Sequence, residues 1–230
     1  MSLNSNAHIV KILTELAEIG GIDSQRLIQK QEFGPRESIF HLGDKRKCFF
    51  IVRKGRTRTY MVSASGHEIT TGIWTEGATL GLISSIASIP RVLSCEAIDR
   101  CTVDMVDIVR FETLMEAHPT LAIAMSKTMA ETAASAITRA SYFALHSAMG
   151  RLIKVLLTLG RHEAYGPDND QAMIRDLSKE DIARIANASR PWISQSISHL
   201  QSEGLLESRR MEIHIPSLSR LEKYCDLVCD

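Results

Sequence analysis

Side chains suited to reading nucleic-acid bases occur together between Ser189 and Ser198. Arg190 can donate paired hydrogen bonds to guanine or bind a phosphate, and Gln195 can both donate to and accept from adenine. No Asp or Glu occurs from Ile182 to Ser202, although 27 Asp and Glu balance 27 Lys and Arg in the whole chain. The segment is therefore locally cationic in a neutral protein and favours contact with phosphate.

Two short helices joined by a tight turn are predicted to carry these side chains. Ser178 is a candidate N-cap, and Glu180 and Asp181 in the next turn complement the helix dipole. Ile182 then begins an apolar side, and Ala183 is small enough for a second helix to cross. This pattern is typical of the first helix of a helix-turn-helix.

The second helix is predicted to follow after a sharp break. Asn187 tolerates the left-handed conformation of such a break, and Ser189 can cap a helix that has Pro191 in its first turn. Apolar residues at i, i+4 and i+7 must face inward, and these are Ile193, Ile197 and Leu200. The polar side chains of the N-terminal half then face outward, as in a recognition helix.

A wing is predicted after this helix. Gly204 ends the helix, and residues 205–208 and 212–215 read as strands on either side of a basic turn. The predicted DNA-contacting residues are Ser189, Arg190, Pro191, Ser194, Gln195, Ser198, Arg209 and Arg210.

Short strands separated by glycines are predicted between Phe33 and Ile108. Gly43 with Asp44, and Ser65 with Gly66, mark two tight turns because glycine permits a positive φ. The pattern predicts a β-roll or sandwich of about eight strands.

A long amphipathic helix is predicted after the strands. The apolar period changes from two to about 3.6 at Phe111. From Thr120 the apolar stripe consists of Ala122, Met125, Met129, Ala133, Ala136, Ala140 and Phe143. Because its alanines allow a partner helix to approach closely, we expect parallel dimerisation; packing of the stripe on the β-roll is the alternative. The helical pattern continues from His146 to Leu159.

The chain is thus expected to have an α+β fold in three parts. These are a β-roll sensor domain at residues 1–110, a dimerisation helix and hinge at 111–146, and a winged helix-turn-helix at 147–230.

Composition argues against several other classes. No apolar stretch approaches the roughly 18 residues of a membrane helix, so we expect a cytoplasmic protein without a membrane partner. Five scattered cysteines without a C-x-x-C pair argue against structural zinc and a disulfide framework. Clustered histidines that could hold a catalytic metal are lacking, so we expect neither an enzyme nor a metal or other cofactor.

The ordered set of motifs resembles the family of the cyclic AMP receptor protein and FNR, which are homodimeric bacterial transcription factors. The resemblance covers nearly the whole chain. It rests on Gly43, Asp44, Gly55, Ser65, Gly66, residues 77–81, Pro90, Arg91, Phe111, Pro119, residues 150–152, Ser189, Arg190 and residues 203–206. It implies a dimer that binds double-stranded DNA at an imperfect palindrome and contacts RNA polymerase.

The resemblance also shows where this chain departs from members that bind cyclic AMP. Those members have a Gly-Glu pair for the ribose hydroxyl and an Arg-Ser pair for the phosphate, where this chain has Gly81 with Leu82 and Arg91 with Val92. The adenine-contacting hydroxyls correspond to Ala136 and Ile137. Each polar group left unpaired costs about 1 to 3 kcal/mol, so we expect no binding of cyclic AMP.

Apolar residues at these positions predict either a filled core or an apolar cavity. We favour the filled core, with Arg91 in a surface ion pair. The candidate effector-pocket residues are Leu80, Gly81, Leu82, Arg91, Val92, Leu93, Ala136 and Ile137.

Several modes of control stay open. The protein either needs no effector or responds to an apolar molecule, a cysteine redox change or a partner protein. An FNR-type iron-sulfur centre is disfavoured because no cysteine precedes Cys48, and haem because residues 81–89 contain no histidine. His41 and His67 are expected to be polar strand residues, and Cys225 and Cys229 small apolar residues of a terminal helix. A β-roll interaction module without DNA binding is the remaining alternative.

The DNA half-site is expected to differ from those of the family. Pro191 stands where the family has a glutamate, and Gln195 where it has a second arginine. Recognition of T-G-T-G-A or T-T-G-A-T is therefore not expected.

Overall fold

The computed structural model describes residues 27–63, 66, 68–145 and 147–228, without the side chains of residues 135, 138–145 and 228. Within this range the chain forms two compact units. The first contains residues 27–61 and 71–138, and the second contains residues 62–70 and 139–228. Ser65, His67, His146 and Cys229, singled out above, lie outside the described residues.

Two four-stranded sheets form the β-roll, in the orders β1-β8-β3-β6 and β2-β7-β4-β5. The strands are β1 (Ile28–Phe33), β2 (Ser38–Phe40), β3 (Cys48–Lys54), β4 (Thr57–Val62), β5 (Glu68–Trp74), β6 (Thr79–Leu80), β7 (Ser94–Ala97) and β8 (Cys101–Asp107). Phe50 and Val52 of β3 pack with Cys95 and Ala97 of β7 in a core that both sheets line. The alternation of side chains along β3 therefore buries one set between the sheets.

The other face of β3 packs against helices. These are α1 (Leu82–Ile86), α2 (Ile108–Ala117) and α3 (Pro119–Leu145). Phe49 meets Phe111 of α2 edge to face, with ring centroids 5.1 Å apart. Leu121 and Met125 at the start of α3 belong to the same apolar cluster. The first turns of α3 thus pack on the β-roll of their own chain, whereas Ala133, Ala136 and Ile137 further along are exposed.

Within the second unit, a separate helix follows α3. α4 (Ala148–His162) starts at Ser147, whose hydroxyl accepts a hydrogen bond from the Gly150 amide at 3.2 Å. The prediction of an uninterrupted helical pattern is therefore wrong at Ser147, which adopts an extended conformation and caps a separate helix. His146 itself lies outside the described residues.

The remaining elements form a small winged domain. They are β9 (Ala164–Tyr165), β10 (Gln171–Arg175), α5 (Lys179–Ala186), α6 (Arg190–Ser202), β11 (Glu207–Arg209), β12 (Glu212–Ile215) and α7 (Leu218–Val228). The sheet order is β11-β12-β10-β9. In the part of the chain that the structure describes, no helix is long and apolar enough to span a bilayer.

Candidate nucleic-acid interface and effector region

The first helix of the helix-turn-helix is fixed by a complete capping box. The Ser178 hydroxyl accepts from the Asp181 amide at 3.1 Å, and the Asp181 carboxylate accepts from the Ser178 amide at 3.0 Å. Ile182, Ala183 and Ile185 are buried on the inner side of α5. The predicted cap is confirmed, and the small residue Ala183 is buried.

The turn between the two helices has the predicted backbone conformation. Asn187 is left-handed, with φ of 52° and ψ of 51°. Ser189 then caps α6, accepting from the Trp192 amide at 3.4 Å, and Pro191 lies in the first turn, where it removes no helical hydrogen bond.

The helix α6 buries one side and presents the other. Ile193, Ile197 and Leu200 are buried as predicted, together with Ser196, which the spacing did not single out. On the opposite side Ser189, Arg190, Pro191, Gln195 and Ser198 are exposed, and Ser194 is half-buried. The exposed side is thus a polar surface without a carboxylate of its own.

Two further residues flank this surface and were missed from sequence. Trp192 is half-buried in the first turn of α6. His199 is exposed, and its Nε2 lies 3.1 Å from the hydroxyl of Tyr224 on α7. The only sequence signal for His199 is its position one helical turn after Gln195.

The wing carries the two predicted arginines at its tip. β11 and β12 pair antiparallel, with Arg209 opposite Glu212. Arg209 and Arg210 are both exposed, and the turn is closed by Met211 with a φ of 60°. Both charges can therefore approach a phosphate backbone.

Residues 68–70 of the same compact unit contact the turn between α5 and α6. The amide of Thr70 donates to the Asn187 side-chain oxygen at 2.7 Å, and the Asn187 side-chain nitrogen donates to the Thr70 carbonyl at 3.0 Å. Arg184 lies 3.4 Å from the Glu68 carboxylate. Glu68, which is outside the helix-turn-helix, thus places a carboxylate beside a turn that contains no acidic residue.

In the effector region Arg91 departs from its predicted role. It is 2% exposed, so the expectation of an ion pair at the surface is wrong. Its guanidinium donates to the Gly81 carbonyl at 2.5 Å, to the Ser85 hydroxyl at 3.0 Å and to the Cys48 carbonyl. It also lies over the Phe40 ring, 4.7 Å from the centroid. Burial lowers the pKa of Arg91 from its usual value.

The other effector-pocket candidates divide into buried and exposed residues. Leu80 and Leu82 are buried, at 1% and 3% exposure, and Leu93 is half-buried. Val92 and Ile137, by contrast, are 49% and 68% exposed. The expectation that these two residues fill the core of their own chain is therefore wrong, because both are exposed in it.

The described cysteines are buried, and none of them is in a disulfide. They are Cys48, Cys95, Cys101 and Cys225. Burial raises the pKa of Cys48 and Cys95 above the usual range and that of Cys101 to about 12. Thiols in such surroundings stay protonated and react slowly. Among the described residues, no group of three or more His, Cys, Asp or Glu could hold a metal ion.

A β-roll, a long helix and a winged helix-turn-helix together define a class of DNA-binding transcription regulators. Residues 30–118 match the cyclic nucleotide-binding domain family, and residues 150–224 match the Crp-like helix-turn-helix domain family. The chain belongs to the CRP/FNR family, whose members are transcription regulators and not enzymes.

Relatives of known function are distant. The transcriptional activator protein anr of Pseudomonas aeruginosa is 24% identical over 83% of this chain and 75% of its own length. The cAMP-activated global transcriptional regulator CRP of Salmonella typhimurium is 18% identical over 77% of this chain and 84% of its own length. FixK2 of Bradyrhizobium japonicum has the same fold, with a TM-score of 0.72 and 20% identity over 86% of this chain and 96% of its own.

Proposed function

We propose that this regulator binds an imperfect DNA palindrome as a homodimer and that cyclic AMP does not control its binding. The observation that carries the DNA-binding proposal is the exposed side of α6 with Arg190 and Gln195 on it, which has no carboxylate of its own, although Glu180 of α5 lies 4.0 Å from Arg190. Arg190 donates to guanine or to phosphate, and Gln195 pairs with adenine. The wing arginines bind phosphate, and RNA polymerase is the expected protein partner by family resemblance.

The exposed part of α3 supports the homodimer. Ile123 and Ile137 are 58% and 68% exposed on this 27-residue helix. Apolar residues in this arrangement are covered when a second copy of the helix packs beside them. Sedimentation should give a dimer for the wild type and a monomer for Ile137→Asp. Leu42→Asp, at an equally apolar exposed position outside α3, should stay dimeric.

The contacts of Arg91 support independence from cyclic AMP. Its guanidinium already donates to Gly81, Ser85 and Cys48, so a phosphate would have to replace these bonds. The buried Leu82 offers no partner to a ribose hydroxyl. A ligand shifts the equilibrium between two conformational states only by its differential affinity for them. This region offers a nucleotide few hydrogen-bond partners with which to distinguish the two states.

Two measurements test the proposal. Selection of bound duplexes from a random pool should return an inverted repeat that differs from T-G-T-G-A and T-T-G-A-T. Affinity for the selected duplex should be the same with and without cyclic AMP. A tenfold rise on adding cyclic AMP would contradict the argument from Arg91 and Leu82.

A further inference from the structure

His199 occupies a defined position on the recognition helix. It follows Gln195 by one helical turn and is exposed. At 1.5 Å per residue it lies about 14 Å along the axis from Arg190, close to the roughly 12 Å width of the major groove. If Arg190 reaches bases at the start of the helix, His199 lies near the phosphates at the edge of the groove.

The imidazole of His199 is oriented by a residue from another helix. Its Nε2 lies 3.1 Å from the Tyr224 hydroxyl, and Tyr224 is half-buried on α7. Among the described residues, the second ring nitrogen, Nδ1, has no hydrogen-bond partner. When the Tyr224 hydroxyl donates to Nε2, the proton of the neutral ring is placed on Nδ1, which then becomes a donor.

Contacts with neighbouring segments hold α7, and with it Tyr224, in place. Arg220 donates to the carbonyls of Glu203 and Gly204 at the end of α6, at 3.0 and 3.4 Å. Arg161 of α4 forms an ion pair with Glu222 at 2.6 Å. The two helices that carry His199 and Tyr224 are therefore tied together independently of the His199–Tyr224 bond.

We propose that His199 donates a hydrogen bond from Nδ1 to a DNA phosphate and that Tyr224 is the positioning residue for this contact. The inference rests on the proposed DNA binding. Phosphate contacts fix the register of a recognition helix on the duplex without reading sequence. Tyr224 thereby links α7 to the placement of Arg190 and Gln195 over the bases.

The test uses the full-length protein and the duplex obtained by selection. A set of duplexes carries a single uncharged methylphosphonate at successive positions. One position in each half-site should weaken wild-type binding about fivefold, the equivalent of one hydrogen bond. His199→Ala should bind the unmodified duplex about fivefold more weakly and lose its sensitivity at that position. His199→Asn, which places an amide donor near the Nδ1 position, should restore part of the affinity and part of the sensitivity to the methylphosphonate.

The variant Tyr224→Phe separates positioning from stability. It should weaken binding two- to threefold in the wild type and have no further effect when combined with His199→Ala. Tyr165→Phe removes a hydroxyl from an exposed tyrosine of the same unit and should change nothing. Unchanged melting temperatures show that the variants are folded.

The possible results lead to different conclusions. Equal effects of Tyr224→Phe with and without His199, or sensitivity to the methylphosphonate retained in His199→Ala, would overturn the inference. A wild-type protein that binds no duplex would instead refute the proposed function itself.

Discussion

The guanidinium of Arg91 lies directly against the backbone of Gly81, in the space that a β-carbon at residue 81 would need. Gly81 has a φ of +70° and precedes α1, and its carbonyl accepts from Arg91. The same guanidinium donates to the carbonyl of Cys48 in β3. One buried cation thus joins the start of α1 to the sheet.

Replacing Gly81 should therefore destabilise the β-roll through two effects. Gly81→Ala imposes a left-handed alanine, at about 1 to 2 kcal/mol, and also displaces Arg91 from its carbonyl partners. Gly77→Ala is the matched control, because Gly77 has a φ of +84° with nothing within 4 Å of an added β-carbon. Urea unfolding should give a larger loss for Gly81→Ala, and equal losses would contradict the role of the contact.

Leu82, the neighbour of Gly81, provides a test of the packing beneath α1. It is 3% exposed in the cluster that contains Phe49 and Phe111. Leu82→Glu buries an unpaired carboxylate and should cost several kcal/mol. Ile83→Glu, at the exposed next position of the same helix, should cost much less. A melting temperature unchanged by Leu82→Glu would mean that water reaches the site, and a small-molecule pocket would then be the better hypothesis.

Local chemistry explains why the helix-turn-helix could be predicted and Arg91 could not. Ser178 and Ser189 accept from backbone amides three residues on, and the left-handed backbone of Asn187 donates to the Ala183 carbonyl, so these roles can be read from the adjacent sequence. The bonds of the Asn187 side chain to Thr70 could not be read in this way. Two of the hydrogen-bond partners of Arg91 are the carbonyls of residues 81 and 48, and every residue type has a carbonyl. Sequence patterns therefore contain no sign of that interaction.

Exposure along α3 shows a second limit on what the sequence can predict. Its spacing predicted one continuous apolar stripe, yet Met125 packs on the β-roll while Ala136 remains exposed. Periodicity defines which side of a helix is apolar but not what covers each turn.

Asp170 should make stability depend on pH at the acid end. Hydrogen bonds from the Ser217 hydroxyl at 2.6 Å and the Ser219 amide at 2.7 Å lower the pKa of Asp170. Because the folded pKa is below the unfolded one, the stabilisation is present above about pH 4 and is lost as pH falls through the folded pKa. Asp170→Asn should therefore be less stable than wild type at pH 6, with the difference shrinking below pH 4.

Chemical denaturation between pH 6 and pH 2.5 measures this effect, which is modest because Asp170 lies near solvent. Asp226→Asn removes an exposed aspartate of α7 and serves as the control. A deficit of Asp170→Asn that stayed constant down to pH 2.5 would rule out the titration of Asp170 as its cause.

Glu68 should weaken DNA binding through its charge. Its carboxylate lies 3.4 Å from Arg184, beside a motif without acidic residues from Ile182 to Ser202. Glu68→Gln removes a negative charge that repels phosphate, so affinity should rise by up to about fivefold with a steeper dependence on salt. Glu32→Gln makes the same charge change on the exposed strand β1 and should have no effect. Weaker binding by Glu68→Gln would show that the contact supports the turn instead.

Gln195 should contribute to sequence preference, whereas the wing arginines contribute only affinity. Gln195 is exposed on α6 and can pair with adenine through two hydrogen bonds, so Gln195→Ala should relax preference at one position of the half-site at a cost of about 1 to 3 kcal/mol. Arg209→Ala and Arg210→Ala remove phosphate contacts, so each should weaken binding to all duplexes alike. Each should also lower the slope of log affinity against log salt concentration by about one. Affinities for a panel of single-base variants of the selected duplex, measured at two salt concentrations, separate the two patterns. A uniform loss in Gln195→Ala across this panel would show that Gln195 contacts only the backbone.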